Sequence, residues 1–318
     1  MIAPLLIGLL FGAIAAYSHF CTMGALSDFF LFGSTRRLRG IAAALAVALA
    51  GTALLAFLGW PVFGSGQSEL PWLAALLGPL AFGAGMTLAG GCITRNLVRA
   101  GLGSAKAGLT LLVAGLTALA VTGGILAAPA AWLRRPAMVL ALPPGLLTSA
   151  AALAALALAA WVLLPARKRG RARTDIAAGA LLGLTVPLWH LLVAAGPLPP
   201  MPSFILPLGE LLARWSSGPG AHAGALLVLG TLAGAALLGL TRRSHRFEGF
   251  ADAGDLQRHL LGGLLMGLGG GLAGVCSFGL AVSGSAALLP AAILGTVALA
   301  VGCRQTLRVL EGRSFFSR

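Results

Sequence analysis

Charge is the scarcest commodity in this chain. Of its 318 residues only 9% are charged, and only eight are acidic, where an average soluble domain carries roughly 25% charged residues. A water-facing surface cannot be built from so few charges, which excludes a soluble globular domain. Cysteine is equally sparse. Cys21, Cys92, Cys276 and Cys303 form no CxxC pair and no metal-ligand spacing, so neither a resident metal nor another cofactor is expected. A disulfide framework compensates for a missing apolar core, which this chain does not lack. No GxxxxGK[ST] pattern occurs, so the chain carries no phosphate-binding loop of its own. The opening MIAPLLIG has no basic n-region and no A-x-A-like site after the first apolar stretch. That stretch is therefore expected to remain as a membrane span.

What the chain does contain is apolar sequence. Hydrophobic residues make up 58%, mean hydropathy is +0.95 and glycine occurs 46 times. Runs that reach the roughly 20 residues needed to cross about 30 Å of hydrocarbon fall at 3–20, 40–59, 71–91, 104–128, 145–165, 175–195, 221–240, 259–275 and 286–303. The expected fold is an all-α integral membrane protein of about nine transmembrane helices plus short intramembrane helices. Small residues let such helices approach closely, where lipid supplies no hydrophobic drive for association.

The formal net charge of +14 does not point to nucleic acid, because the basic residues sit in short clusters between spans. The clusters are Arg36, Arg37 and Arg39; Arg95, Arg99 and Lys106; Arg167 to Arg173; Arg242, Arg243 and Arg246; Arg304, Arg308 and Arg313. With nine spans all five fall on one side. The positive-inside rule makes that side cytoplasmic, with the N-terminus outside and the C-terminus inside. One loop, carrying Arg134 and Arg135, is discordant.

The sequence also repeats. A shift of 184 lays LLGPLAFGAGMTLAGGC (76–92) over LLGGLLMGLGGGLAGVC (260–276), with ten of seventeen positions identical, Cys92/Cys276 among them. A weaker echo at a shift of 171 matches Gly8/Gly179, Gly12/Gly183 and His19/His190. Corresponding spans are five apart, so the halves, 1–165 and 175–318 around a basic cytoplasmic linker at 166–174, should be inverted. Inverted repeats with interrupted, glycine-rich helices at matching places point to a transport site near the bilayer midplane.

Each repeat cysteine follows a glycine-rich run and precedes a short segment with serine, threonine or asparagine. A helix should stop there and a short one begin, offering unpaired N–H groups to an anion. Neutral thiols are weak hydrogen-bond donors suited to a soft sulfur atom. The same reasoning covers Ser18–Gly24, with Cys21 and with His19, which aids an anion when protonated. The candidate pathway residues are Cys21, Cys92, Cys276, His19, Gly91, Thr94, Arg95 and Ser277. Each cysteine has a bland alternative as a small buried hydrophobe, the reading we prefer for Cys303. Arg95 and Arg99 either line an exit or only set topology, and Asp28 either pairs with Arg36 or Arg37 or ends a short helix.

The segments HFCTMGALSD, AGGCITRNLVRAG and AGVCSFG resemble those of the YeeE/YedE sulfur-transport family, and the resemblance spans nearly the whole chain. It implies an hourglass of two pseudo-symmetric halves in which the substrate's sulfur passes between thiols matched by Cys21, Cys92 and Cys276. Members with arginine after the second cysteine, here Arg95, often accompany small sulfur-carrier proteins. The expected role is inner-membrane uptake of thiosulfate or a related small sulfur anion, without enzymatic turnover. Alternatives are a membrane sulfurtransferase that hands persulfide sulfur from Cys92 or Cys276 to a cytoplasmic carrier, and a structural subunit with no pathway.

Overall fold

The computed structural model describes residues 2–60, 62, 67–135, 137–141, 143–163, 170–195, 201–213, 221–245 and 247–312. Helices α1 (Ile2–Ser18) and α2 (Thr22–Phe32) form one interrupted rod, and α3 (Arg36–Phe57) follows. A second interrupted rod, α4 (Trp72–Leu88) and α5 (Ile93–Gly101), leads to α6 (Ala105–Thr122). Next come the short α7 (Ala127–Arg134) and the lipid-facing α8 (Pro144–Leu163). The remaining elements are α9 (Gly170–Gly183), α10 (Thr185–Ala195), α11 (Ile205–Ala213), α12 (Ala221–Thr241) and α13 (Ala253–Ala273), then a π-helical turn at Gly279–Gly284 and α14 (Pro290–Leu310).

Eight stretches among the described residues are long and apolar enough to cross a membrane. Helix α13, the eighth of the nine expected spans, has the length, but its first turns carry Asp255, Arg258 and His259 and the rest is rich in glycine. Many large apolar side chains, such as Leu10, Phe57, Leu153 and Leu237, face outward, as lipid requires. Some boundaries differ from expectation. The apolar run 104–128 stops being α6 at Thr122, and 175–195 is broken between α9 and α10. Of the stretch read as a linker, 170–174 already belongs to α9, while 166–169 lies outside the described residues. The sequence reading also missed two short strands, β1 (Gln67–Pro71) and β2 (Ala137–Ala141), which pair antiparallel. They satisfy each other's backbone groups, as strands beside a bilayer must.

The helices pack in matched pairs. Helix α1 lies on α12 as α9 lies on α3, and α4 lies on α14 as α13 lies on α6. Glycine makes each approach possible. A Cβ on Gly8 or Gly12 would strike the carbonyls of Leu227 or Thr231, and one on Gly179 or Gly183 those of Gly40 or Ala44. At the centre α4 crosses α13. There a Cβ on Gly78 would lie 2.8 Å from Gly269 O, and one on Gly85 would lie 2.7 Å from Gly262 O. The residue numbers rise on one helix as they fall on the other, so these two copies of the repeated segment run antiparallel.

One end of the bundle collects the basic clusters. Arg36 pairs with Asp175 at 2.6 Å, Arg37 with Asp28 at 3.4 Å, Arg99 with Glu248 at 2.8 Å and Lys106 with Asp255 at 3.7 Å. Arg242 stacks over Tyr17 and Arg304 over Phe30. Asp28 thus takes Arg37, one of the two partners considered for it. The discordant Arg134 has its own explanation. It donates from Nε to Leu272 O (3.2 Å) and from Nη2 to Gly271 O (2.5 Å), covering carbonyls in the last turn of α13, where a cation is favoured.

Candidate functional site

Three helices stop in the same way. Gly90 (φ 65°), Gly274 (φ 76°) and His19 (φ 53°) all adopt the left-handed conformation, each two residues before a cysteine: Cys92, Cys276 and Cys21. After α4, Gly91 N–H returns to Met86 O at 2.9 Å and Gly90 N–H to Thr87 O at 3.3 Å; after α1, Phe20 N–H returns to Ala15 O at 3.2 Å. This left-handed stop satisfies the last carbonyls of the helix. It also turns the chain so that the next helix starts at the thiol. Glycine adopts it without cost, whereas His19 gives up roughly 1–2 kcal/mol, a cost the surrounding packing must offset.

The thiols are buried, with Cys21 8%, Cys92 1% and Cys276 0% exposed. Cys21 caps α2 by accepting from Gly24 N–H at 3.3 Å. Cys92 starts α5 but makes no side-chain cap. Its sulfur instead faces the backbone N–H groups of Arg95 and Thr22 and reaches the side chains of Cys21 and Ser277. It therefore sits at the starts of both α5 and α2. Cys276 faces the N–H groups of Gly279 and Phe204 and the hydroxyl of Ser203, and lies within electrostatic reach of Cys92. Beside these groups the hydroxyls of Thr94 and Ser277, 1% and 0% exposed, lack a conventional hydrogen-bond partner. Buried orphan hydroxyls are costly, and a polar ligand would satisfy them.

A cavity lies on each side of the thiols. At the basic end, one of about 340 Å³ is lined by Tyr17, His19, Arg95, Arg99, Arg242 and Glu248, among others. Arg95 Nη1 lies 3.4 Å from His19 Nδ1. At the other end, by the start of α4 and the end of α13, one of about 290 Å³ reaches Val275 and Gly279 on either side of Cys276. Its lining is apolar except for Arg134. A larger cavity, about 950 Å³, opens sideways between α3 and α8, away from the thiols.

A family model described as "Sulphur transport" matches residues 17–304. The chain belongs to that family. It is also similar to the thiosulfate transporter TsuA of Escherichia coli (strain K12), at 25% identity over 304 residues, 88% of this chain and 86% of the relative. The sulphur-transport match begins just before the first left-handed stop and takes in all four cysteines.

Within this family fold, the residues named from sequence largely converge. Cys21, Cys92, Cys276 and Ser277 meet at the centre; Thr94 lies in the first turn of α5; Arg95 and His19 stand together at the inner cavity. Gly91 supplies backbone, its carbonyl accepting from Asn96 Nδ2 at 2.9 Å. Cys303 is apart, buried in α14 where Gly83 of α4 packs closely, with Thr87 as its polar neighbour. Sequence reasoning missed the aromatic cluster in which Phe278 contacts Phe11, Phe20 and Phe204, with centroids 5.1, 6.4 and 6.3 Å away. The only sequence signal was that Phe20 and Phe278 each lie within two residues of a pathway cysteine. It also missed Ser203, which carries no local motif.

Arg99 and Glu248 tie the last turn of α5 to the connection before α13. The Arg99 hydrogen bond holds the Glu248 carboxyl below its usual range. A carboxyl lowered in this way contributes stability that is present above its unfolded pKa and lost as pH falls through the folded value. The tie should therefore be complete at neutral pH and fade only below about pH 4. Glu248→Gln is expected to flatten the acid limb of a plot of thermal midpoint against pH. The change should be small, because the carboxylate side chain is 45% exposed.

Proposed function

We propose that this protein takes up thiosulfate or a closely similar small sulfur anion across a bacterial inner membrane. The anion enters at the cavity beside Cys276, passes Cys92 and Cys21, and leaves through the arginine-lined cavity at the basic, cytoplasmic end. The N-terminus is then periplasmic, the C-terminus cytoplasmic, and the two halves are inverted copies. A small cytoplasmic sulfur-carrier protein is the natural recipient in this reading. One observation carries it: three thiols, each two residues after a left-handed helix stop, meet between two cavities at opposite ends of the bundle.

The chemistry suits a soft anion. Moving a bare charge into a low-dielectric interior is prohibitive without compensation. The starts of α2 and α5 aim their free N–H groups at Cys92, and such groups bind anions well. Thr94 and Ser277 add two unspent hydroxyls. The thiols contribute weak S–H donors that a terminal sulfur accepts at low desolvation cost, and being weak they also release it. A channel-like or ion-coupled permease fits such a site better than a pump. TsuA, similar over most of the chain, is named for thiosulfate transport.

The test is uptake of radiolabelled thiosulfate into proteoliposomes containing the purified protein, with sulfate and sulfite as competitors. Accumulation of label above protein-free vesicles is the expected result. Label confined to a covalent adduct on Cys92, with none in the lumen, would instead establish a sulfurtransferase.

A further inference from the structure

The correspondence of α2 in the first half to α11 in the second gives Cys21 a counterpart. In the first half, Cys92 faces the N–H of Thr22 and the side chain of the residue before it, Cys21. In the second, Cys276 faces the N–H of Phe204 and the side chain of the residue before it, Ser203. The surrounding packing agrees, because α2 lies against α3 and α14 while α11 lies against the corresponding α12 and α6. Local sequence conceals the relation, since the match is of position and not of residue type.

We infer that Ser203 and Cys276 form a second anion station, the mirror of the one made by Cys21 and Cys92, in which Ser203 is a specificity-determining residue. This rests on the transport reading above. Ser203 is 7% exposed. Its Oγ accepts from Cys276 N–H at 3.3 Å, which leaves its own proton to donate on the side where the Cys276 sulfur lies. One station therefore offers two thiols with the Ser277 hydroxyl beside Cys92, and the other a single thiol beside the Ser203 hydroxyl. A hydroxyl is the stronger donor to oxygen and a thiol the softer partner for sulfur. The Ser203 station, nearer the apolar cavity, suits an anion with both a sulfur and an oxygen end.

The experiment uses the full-length protein in proteoliposomes and reads two quantities. The first is the KM for thiosulfate. The second is thiosulfate protection of each cysteine from a small methanethiosulfonate reagent, resolved by mass spectrometry. Ser203→Ala is expected to raise KM about tenfold, the usual cost of one hydrogen bond to a charged group, and to abolish protection at Cys276 while keeping it at Cys92. Ser203→Cys, which copies the first half, should recover most of the affinity. A wild-type KM and intact Cys276 protection in Ser203→Ala would overturn the inference. Equal defects in Ser203→Ala and Ser203→Cys would also overturn it, because the hydroxyl would then serve only to accept Cys276 N–H. Failure of the wild-type protein to accumulate thiosulfate would count against the transport reading itself.

Discussion

Replacing Cys92 with alanine is expected to lower thiosulfate uptake by about ten- to a hundredfold while leaving the protein folded. Cys92 faces the starts of α5 and α2 and lies beside both Cys21 and Ser277. In the proposed route it therefore joins the two halves. A donor to a charged group contributes about 1.5–3 kcal/mol, which converts to that range of affinity. The structural cost is lower, because one buried sulfur leaves only a small void. Cys303→Ala is the matched control. Cys303 is equally buried but sits on the α14–α4 contact, so uptake should be unchanged. Equal uptake by the two variants would remove the thiols from the mechanism.

The second large effect concerns the scaffold. A Cβ on Gly85 would come within 2.7 Å of both Gly262 O and Met266 N, and a Cβ on Gly262 within 2.7 Å of Gly85 O. Backbone atoms cannot rotate away, so α4 and α13 must separate. Gly85→Ala and Gly262→Ala are each expected to cost about 1–3 kcal/mol, read as a lower thermal midpoint in detergent. The double variant should cost less than the two together, since the first substitution has already parted the helices. Gly108→Ala in α6, with nothing within 4 Å of the added carbon, should be neutral or slightly stabilising through helix propensity. Similar losses at Gly108 and Gly85 would show that the crossing does not depend on close approach.

Much of this was readable because lipid imposes strong rules. Spans follow from apolar run length, and the cluster residues Arg36, Arg37, Arg99, Lys106, Arg242 and Arg304 gather at one end. Of the glycines matched at a shift of 184, Gly78/Gly262 and Gly85/Gly269 form the contact of α4 on α13, while Gly83 packs on α14 and its match Gly267 on α6; the weaker echo at 171 marks the contacts of α1 and α9 with their partners. The G-x-C spacing at Gly90 and Gly274 also held the information for the stops. His19 hides the third, because a histidine in that conformation has no sequence signature. Other features depend on distant parts of the chain. Ser203 meets Cys276 across 73 residues, and Arg134 reaches α13 across 137. No local pattern could announce either.

The left-handed stops carry a thermodynamic consequence. A cysteine has a single side-chain torsion, and here each sulfur is placed by a helix terminus already fixed in the fold. An arriving ion has almost no side-chain freedom to freeze, in contrast to a site built from lysines or arginines, which would lose up to about 2 kcal/mol of rotamer entropy apiece. Recognition can then be selective without being tight, which is the condition for fast release.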